Sequence, residues 1–162
     1  MNNTSYEKTL NLALRMISRR AQSVSQLREK LEEKSPANDE VIEQVINRLL
    51  ELGYLNDGNF AYQYATNKLN IKAFGRNRLK QALVEKQVSL EVVEQTLSQV
   101  FDEQNEEELC EQAIKKYLRI HGKPSDIKEN KKIFGHLIRL GFPYDLVIKK
   151  IRAIRQDISI EE

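Results

Sequence analysis

The sequence predicts an all-α fold of three tandem three-helix repeats that form an elongated, curved array. The composition suits helices, because only three prolines and six glycines interrupt the chain while 31% of residues are charged, and long charged side chains lose little rotamer freedom in a helix. Apolar residues recur at spacings of three and four, which places them on one helical face. The same succession of helix and turn signals then returns along the chain.

The first repeat is predicted to span residues 1–55. Its first helix carries an apolar stripe at Leu10, Ala13, Leu14 and Ile17. Ser23 followed by Gln26 predicts a capping box at the start of the second helix, since the serine oxygen accepts from a free backbone N–H while the glutamine bonds back. The third helix is predicted to begin near Asp39 and to end at Gly53, a residue type that favours helix C-termini.

The second repeat is predicted to span residues 56–103. Asp57 is expected to cap its first helix, and Gly75 is expected to end that helix. Ser89 is expected to cap its third helix.

The third repeat is predicted to span residues 104–162. Asn105 followed by Glu108 predicts another capping box. Its first helix is expected to bury Cys110, Ala113, Ile114 and Tyr117. Its second helix is expected to bury Ile133, Phe134, Leu137 and Ile138. After a turn at Gly141, the third helix presents Val147, Ile148, Ile151 and Ile154.

The repeats align through the apolar pairs of their second helices. These pairs are Leu27 with Leu31, Leu79 with Leu83, and Ile133 with Leu137, at successive offsets of 52 and 54 residues. A three-helix unit of about 50 residues is marginally stable alone. Neighbouring repeats are therefore expected to share buried surface, and stacking of this kind predicts elongation.

Several classes of protein are excluded by what the sequence lacks. No apolar run exceeds three residues, whereas a membrane span needs about 20. Cys110 is the only cysteine, so a disulfide within the chain is impossible and a reducing cytoplasm is expected. His121 and His136 lie too far apart for two ligands on one helix. We therefore expect a cytoplasmic protein with no catalytic site, no cofactor and no metal, and we expect Cys110 to be a small buried hydrophobe.

Charge is unevenly distributed along the chain. The formal net charge is only +2, yet residues 113–155 hold twelve Lys or Arg against three Asp or Glu. Residues 68–86 form a smaller basic block. Acidic residues concentrate on the third helices of the first two repeats, which leaves the other helices free to form a positive strip. Such a strip suits nucleic acid or an acidic protein filament, although solvated helix faces also carry many cations.

Aromatic residues around the mid-chain basic block leave two interpretations open. They are Tyr54, Tyr62, Tyr64 and Phe74. They could stack on bases, but aromatics at helical spacing more often belong to a core.

The first half of the chain contains three specific sequence segments. They are the segment from Ala13 to Arg20, the start of the second helix from Ser23 through Leu31, and the junction Gly53-Tyr54-Leu55-Asn56-Asp57-Gly58-Asn59-Phe60-Ala61. In this order they resemble the RecX family of bacterial regulatory proteins. Gly75, Leu79 and Leu83 continue the resemblance, and the pattern alone extends it to about residue 155. Departures from the family pattern are Gln26 in place of Glu, Gln87 at a turn where Gly is common, and Gly58-Asn59 in place of a charged pair.

The resemblance implies a triple repeat of three-helix units and a function that periodicity cannot supply. RecX proteins bind the RecA recombinase filament on single-stranded DNA and restrain its strand exchange, ATP hydrolysis and co-protease activity, which modulates DNA repair and the SOS response. For this chain it implies a monomer whose partner is that filament, with weak direct binding to DNA as an addition.

The expected contacts are the exposed cations of the positive strip. They are Arg15, Arg19, Arg20, Lys72, Arg76, Lys80, Lys115, Lys116, Arg119, Lys131, Lys132, Arg139, Lys149, Arg152 and Arg155. The alternative is a helical nucleic-acid-binding protein that acts on DNA directly, which would show a steep dependence of affinity on salt.

Overall fold

The structure is a computed structural model, and it describes the backbone of residues 2–160 and the side chains of residues 4–154. Within that span the chain forms nine α-helices and no strand, so the all-α prediction is confirmed. The first three helices are α1 (Asn2–Arg19), α2 (Val24–Lys34) and α3 (Asp39–Glu51). The next three are α4 (Asp57–Ile71), α5 (Arg76–Glu85) and α6 (Leu90–Glu103). The last three are α7 (Glu106–His121), α8 (Ile127–Arg139) and α9 (Tyr144–Ile160).

The helices group into two compact units. Unit 1 comprises Met1–Tyr64 and Leu83–Thr96, and unit 2 comprises Ala65–Ala82 and Leu97–Glu162. The repeat boundaries predicted from the sequence fall in the connection between α3 and α4 and in the connection between α6 and α7.

Unit 1 packs α1, α2 and α3 around fully buried leucines, among them Leu27, Leu31 and Leu49. Burying such a side chain contributes roughly 2 kcal/mol. The predicted capping box is confirmed, because the Ser23 hydroxyl accepts from the Gln26 N–H at 3.2 Å and the Gln26 side chain accepts from the Ser23 N–H at 3.3 Å. The first turn of α2 is thereby held in place.

The predicted cap at Asp57 is wrong. Asn56 caps α4, since its side-chain oxygen accepts from the Asn59 N–H at 2.9 Å. Asp57 lies in the first turn of α4, and its carboxylate accepts from the Val24 N–H at 2.8 Å. Asp57 therefore satisfies a free N–H group at the start of α2 instead of one in its own helix.

The turn after α5 contains a strained residue that the sequence indicated. Gln87 has φ +59°, the left-handed conformation that usually selects glycine. The Gln87 side chain donates to the Glu29 carboxylate at 3.0 Å. The neighbouring Lys86 carbonyl accepts from the Ser23 hydroxyl at 2.7 Å. These bonds hold the turn against α2.

Unit 2 buries one face of each of α7, α8 and α9. Its fully or nearly fully buried side chains include Cys110, Ile133, Leu137, Phe142 and Val147. Three stripe residues depart from the predicted burial, because Tyr117 and Phe134 are only half-buried and Ile138 is 37% exposed.

Gly75 does not end α4, contrary to the prediction. The helix ends at Ile71. Gly75 instead precedes α5, where its carbonyl accepts from the Leu79 N–H at 3.3 Å. Glycine is required at this position because the backbone of Gly75 lies close to the backbone of Gly141.

Candidate partner-binding surface

The expected contact residues divide between the two units. Arg15, Arg19 and Arg20 belong to unit 1. The others belong to unit 2: Lys72, Arg76, Lys80, Lys115, Lys116, Arg119, Lys131, Lys132, Arg139, Lys149, Arg152 and Arg155. Every one of these side chains that the structure describes is exposed, and the side chain of Arg155 lies outside the described residues. Ordinary solubilising cations are exposed too, so the arrangement of the charges must identify a site.

Unit 2 contains a groove lined by cations from three separate segments. Lys72 follows α4, Arg78 lies in the first turn of α5, and Arg139 ends α8. His136 and Phe74 also line this groove, whose volume is about 730 Å³. We call it the basic groove.

A smaller cavity of about 210 Å³ adjoins the basic groove, since Lys72, His136 and Leu140 line both. It adds a fourth cation, Lys116 of α7. All of the residues that line either cavity are apolar, amide, glycine, histidine or cationic, and none is a carboxylate. The region therefore offers positive charge and hydrogen-bond donors without an acidic group to neutralise them.

Two glycines create the close approach on which the groove depends. The Gly75 N–H donates to the Leu140 carbonyl at 2.9 Å, and the Asn77 N–H donates to the Gly141 carbonyl at 3.0 Å. A Cβ atom at Gly75 would lie within 3.0 Å of the Gly141 backbone, and a Cβ atom at Gly141 would lie within 3.0 Å of Arg78. Glycine at both positions thus lets the start of α5 lie against the end of α8.

The surroundings of His136 in the basic groove shift its pKa. Burial lowers the pKa of His136 below the ordinary value of 6.5, and the charges of Lys72, Arg139 and His121 lower it further. The Tyr117 ring lies 5.0 Å from the His136 ring, centroid to centroid. Burial alone disfavours the histidine cation, and the two neighbouring cations, Lys72 and Arg139, add to that effect because like charges repel.

Two of the expected contact residues are instead paired within unit 2. The backbone N–H of Arg76 donates to the Glu106 carboxylate at 2.7 Å, and the Arg76 guanidinium forms an ion pair with the same carboxylate at 3.0 Å. The guanidinium also lies 5.3 Å from the centroid of the Phe101 ring. Lys149 forms an ion pair with Glu107 at 3.0 Å. An incoming partner would have to compete with these carboxylates.

Glu107 and Glu111 also bind Lys150, at 3.2 Å and 2.6 Å. Hydrogen bonds from the lysines lower the pKa of both carboxyl groups below the ordinary value of 4.5. The acidic start of α7 thus neutralises cations of α9.

The remaining expected contacts of unit 2 do not line the basic groove. They are Lys80, Lys115, Arg119, Lys131, Lys132 and Arg152. Lys132 lines a separate small pocket of about 130 Å³ together with His121 and Glu129. The structure therefore brings together only part of the predicted set.

Unit 1 has its own concave surface, of about 660 Å³, between α1 and the segment from Gly53 to Gln63. Arg15 and Tyr54 line it, and Tyr54 is 62% exposed. Arg19 and Arg20 lie at the end of α1 outside this lining. Only one cation is therefore present in this cavity.

Two residues of the basic groove escaped the sequence-based selection. Arg78 belongs to the mid-chain basic block but is not among the expected contacts, and His136 is assessed from the sequence only as a possible metal ligand. The signal that could have found them is the pair Gly75 and Gly141, because two glycines beside helix ends indicate a close backbone approach.

The described residues give no sign of a reactive centre at the positions considered. Cys110 is fully buried, as predicted, and burial raises the pKa of its thiol to about 11. No group of three His, Cys, Asp or Glu side chains is close enough to hold a metal ion within this described part. Among the same residues, no helix has the length and apolar character that a membrane span requires.

Family models match the chain in three consecutive segments. They are the first three-helix domain of RecX at residues 10–49, the second at residues 56–97 and the third at residues 102–151. A regulatory protein RecX from Clostridium perfringens (strain 13 / Type A) is 32% identical over 155 residues, which are 95% of this chain and 72% of the relative. One from Clostridioides difficile (strain 630) is 31% identical over 149 residues, or 92% and 69% of the two chains.

Solved structures share the fold. The crystal structure of RecX from Lactobacillus salivarius superposes with a TM-score of 0.82 at 24% identity and covers 97% of this chain and 98% of its own. A second crystal structure of a regulatory protein RecX gives a TM-score of 0.75 at 22% identity, over 92% of this chain and 72% of the other. The fold of three-helix repeats is therefore shared with known proteins.

Proposed function

This chain belongs to the RecX family, and from that premise we propose that it binds the RecA filament on single-stranded DNA and inhibits RecA. The inhibited activities are recombination, ATP hydrolysis and co-protease activity, and their restraint modulates DNA repair and the SOS response. The observation that carries the proposal is the match to all three RecX domains in order. The curated relatives are named regulatory proteins.

The mechanism we propose is that the chain bridges neighbouring RecA subunits. Its cations face acidic RecA surface and the bound DNA, and the basic groove supports this role because no carboxylate lines it. Bridging would hinder the subunit rearrangements that ATP hydrolysis and DNA pairing require. The chain itself acts by binding, as a monomer in the cytoplasm and without a cofactor.

A second candidate function is direct action on DNA. The observation in its favour is the concentration of Lys72, Arg78, Lys116 and Arg139 in two adjoining cavities without acidic lining. Against it stands the formal net charge of only +2, which supplies little long-range attraction.

The single-stranded-DNA-dependent ATPase of RecA separates the two candidates. We expect substoichiometric protein to lower the ATPase, and we expect Arg139→Glu to weaken this inhibition. Lys128→Glu is the matched control, because Lys128 is an exposed cation of the same helix that does not line the groove. If saturating protein leaves the ATPase unchanged while naked DNA is bound tightly, direct action on DNA is the correct function.

A further inference from the structure

The basic groove has the donor chemistry of a phosphate site. Arg78 and Arg139 both line it, one at the start of α5 and the other at the end of α8. A guanidinium offers several N–H donors in a planar arrangement that matches phosphate oxygens. Lys72 adds a third charge. An anion in the groove would meet three cations and no carboxylate.

The groove also contains a surface for a base. Phe74 is half-buried in the lining, and the ammonium of Lys72 lies 5.7 Å from the centroid of its ring. Unpaired bases stack on aromatic side chains in proteins that bind single strands, whereas the bases of a duplex are already stacked. An acidic protein surface would use the cations but has no need of the ring.

We propose that the basic groove binds the sugar–phosphate backbone of a single DNA strand, with Arg78 and Arg139 on the phosphates and Phe74 against a base. This inference rests on the proposed function, since the RecA filament carries such a strand. It assigns the contact with DNA to unit 2 and to specific residues.

Proton uptake follows from the position of His136 in this groove. The charged or titratable groups that face it are Lys72 from the segment after α4, Arg139 on α8, and His121 and Tyr117 on α7, while Lys116 of α7 lines the adjoining cavity. Burial, together with the charges of Lys72, Arg139 and His121, holds the pKa of His136 below 6.5 in the free protein. A bound phosphate places a negative charge near His136 and thereby raises that pKa.

The sign of the pH dependence is then determined. Between the lower pKa of the free protein and the higher pKa of the complex, binding takes up one proton, so affinity for DNA rises as pH falls through this window. Each unit by which the phosphate raises the pKa of His136 increases affinity about tenfold across the window.

The first experiment measures binding of a short fluorescein-labelled oligothymidylate by fluorescence anisotropy. We expect Arg78→Ala and Arg139→Gln each to weaken binding at least about tenfold, since a hydrogen bond to a charged group is lost. The slope of log affinity against log salt should fall by about 0.7 for each lost phosphate contact. Lys128→Glu should bind as the parent does. If the two arginine variants do so as well, the proposal is overturned.

The second experiment needs no change to the groove cations. The parent is titrated with the same oligonucleotide between about pH 5 and pH 8, the range in which histidine titrates. His121 and His136 are the only histidines of the chain, so His121→Gln is the matched control for His136→Gln. We expect the pH dependence to persist in His121→Gln and to disappear in His136→Gln. Equal profiles for the two variants would also overturn the proposal.

Failure of this inference differs from failure of the proposed function. If the parent inhibits the RecA ATPase while the groove variants bind oligothymidylate normally, the proposed function stands and the groove is not its DNA contact. If the parent leaves RecA unaffected while the groove variants lose binding of oligothymidylate, the proposed function is wrong and the groove remains a DNA-binding site.

Discussion

Replacing Gly141 by alanine should destabilise the protein through two separable effects. Gly141 has φ +89°, where a side chain costs about 1 kcal/mol. A Cβ atom would also lie within 3.0 Å of the Arg78 backbone, so the start of α5 must move away. That movement breaks the two backbone hydrogen bonds between the segments, each contributing about 1 kcal/mol. The expected loss in free energy of unfolding is about 3 kcal/mol.

Two further glycines separate the effects. Gly53 has φ +74° and no atom within 4 Å of a Cβ position, so Gly53→Ala should cost only the backbone strain of about 1 kcal/mol. Gly75 has the close contact without a positive φ, so Gly75→Ala should cost the two hydrogen bonds, about 2 kcal/mol.

Urea denaturation of the three variants measures these losses. Gly75→Ala and Gly141→Ala should also reduce binding of oligothymidylate, because they move Arg78 away from Arg139, whereas Gly53→Ala should not. Urea denaturation resolves differences of about 0.5 kcal/mol in the free energy of unfolding. If Gly141→Ala and Gly53→Ala lose the same free energy within that limit, the close approach does not hold unit 2 together.

Three other changes test the structure elsewhere. Ser23→Ala removes both the cap of α2 and the bond to the Lys86 carbonyl, so we expect about 2 kcal/mol less stability in urea; unchanged stability would contradict the assigned bonds. Cys110, with a thiol pKa near 11 instead of 9.0, should react about a hundredfold more slowly with iodoacetamide in the native protein than in urea; equal rates would show that it is accessible. Glu107→Gln and Glu111→Gln should each lower the melting temperature at neutral pH. The difference in melting temperature from the parent should vanish as pH falls well below 4.5, because a carboxyl group with a lowered pKa stabilises the fold only while it is ionised. A difference that persists in acid would exclude the ion pairs with Lys149 and Lys150 as its cause.

Local rules predicted the helices well where the determining contacts are close in sequence. The Ser23 and Gln26 capping box spans three residues, and the left-handed Gln87 lies in a turn of its own. Each depends on neighbours that a short segment already contains. The expected elongation of the array depends on no such segment and stays a prediction.

The same rules failed where a distant residue decides. Asp57 and Asn56 are equally good caps by residue type, and the structure uses Asn56 for α4 because the Asp57 carboxylate binds the Val24 N–H, far away in sequence. Gly75 was interpreted as a helix end, but its partner is Gly141. Helical periodicity contains no information about either pairing.

The basic groove could not be predicted for the same reason. Its cations come from the segment after α4, the start of α5 and the end of α8, and the approach of Gly75 to Gly141 holds the last two together. The sequence-based set includes Arg76, which is paired with Glu106, and omits Arg78. Composition correctly indicated a basic region without indicating which charges are neutralised.

Arg78 is a cation in the first turn of a helix, a position that the helix dipole disfavours and that a bound anion would compensate. The first turn of α5 has no acidic residue, so the positive end of the helix dipole lies beside Arg76 and Arg78. Arg76 is compensated by Glu106, whereas the guanidinium of Arg78 contacts a neutral amide of Gln81 at 3.4 Å. A residue that opposes the local rule is expected at functional sites.

Arg78→Glu should therefore stabilise the protein while it weakens the binding of oligothymidylate. Reversing the charge removes one unfavourable interaction with the helix N-terminus and adds a favourable one, for a gain of about 1 kcal/mol in the free energy of unfolding. Arg78→Gln should gain about half of that, and both variants should bind oligothymidylate more weakly than the parent. Urea denaturation and anisotropy on the same preparations provide the two measurements. A gain in stability together with a loss of binding would show that Arg78 is retained for its ligand, because such a residue destabilises the free protein and is needed in the complex. A variant that loses both stability and binding would show instead that Arg78 supports the fold.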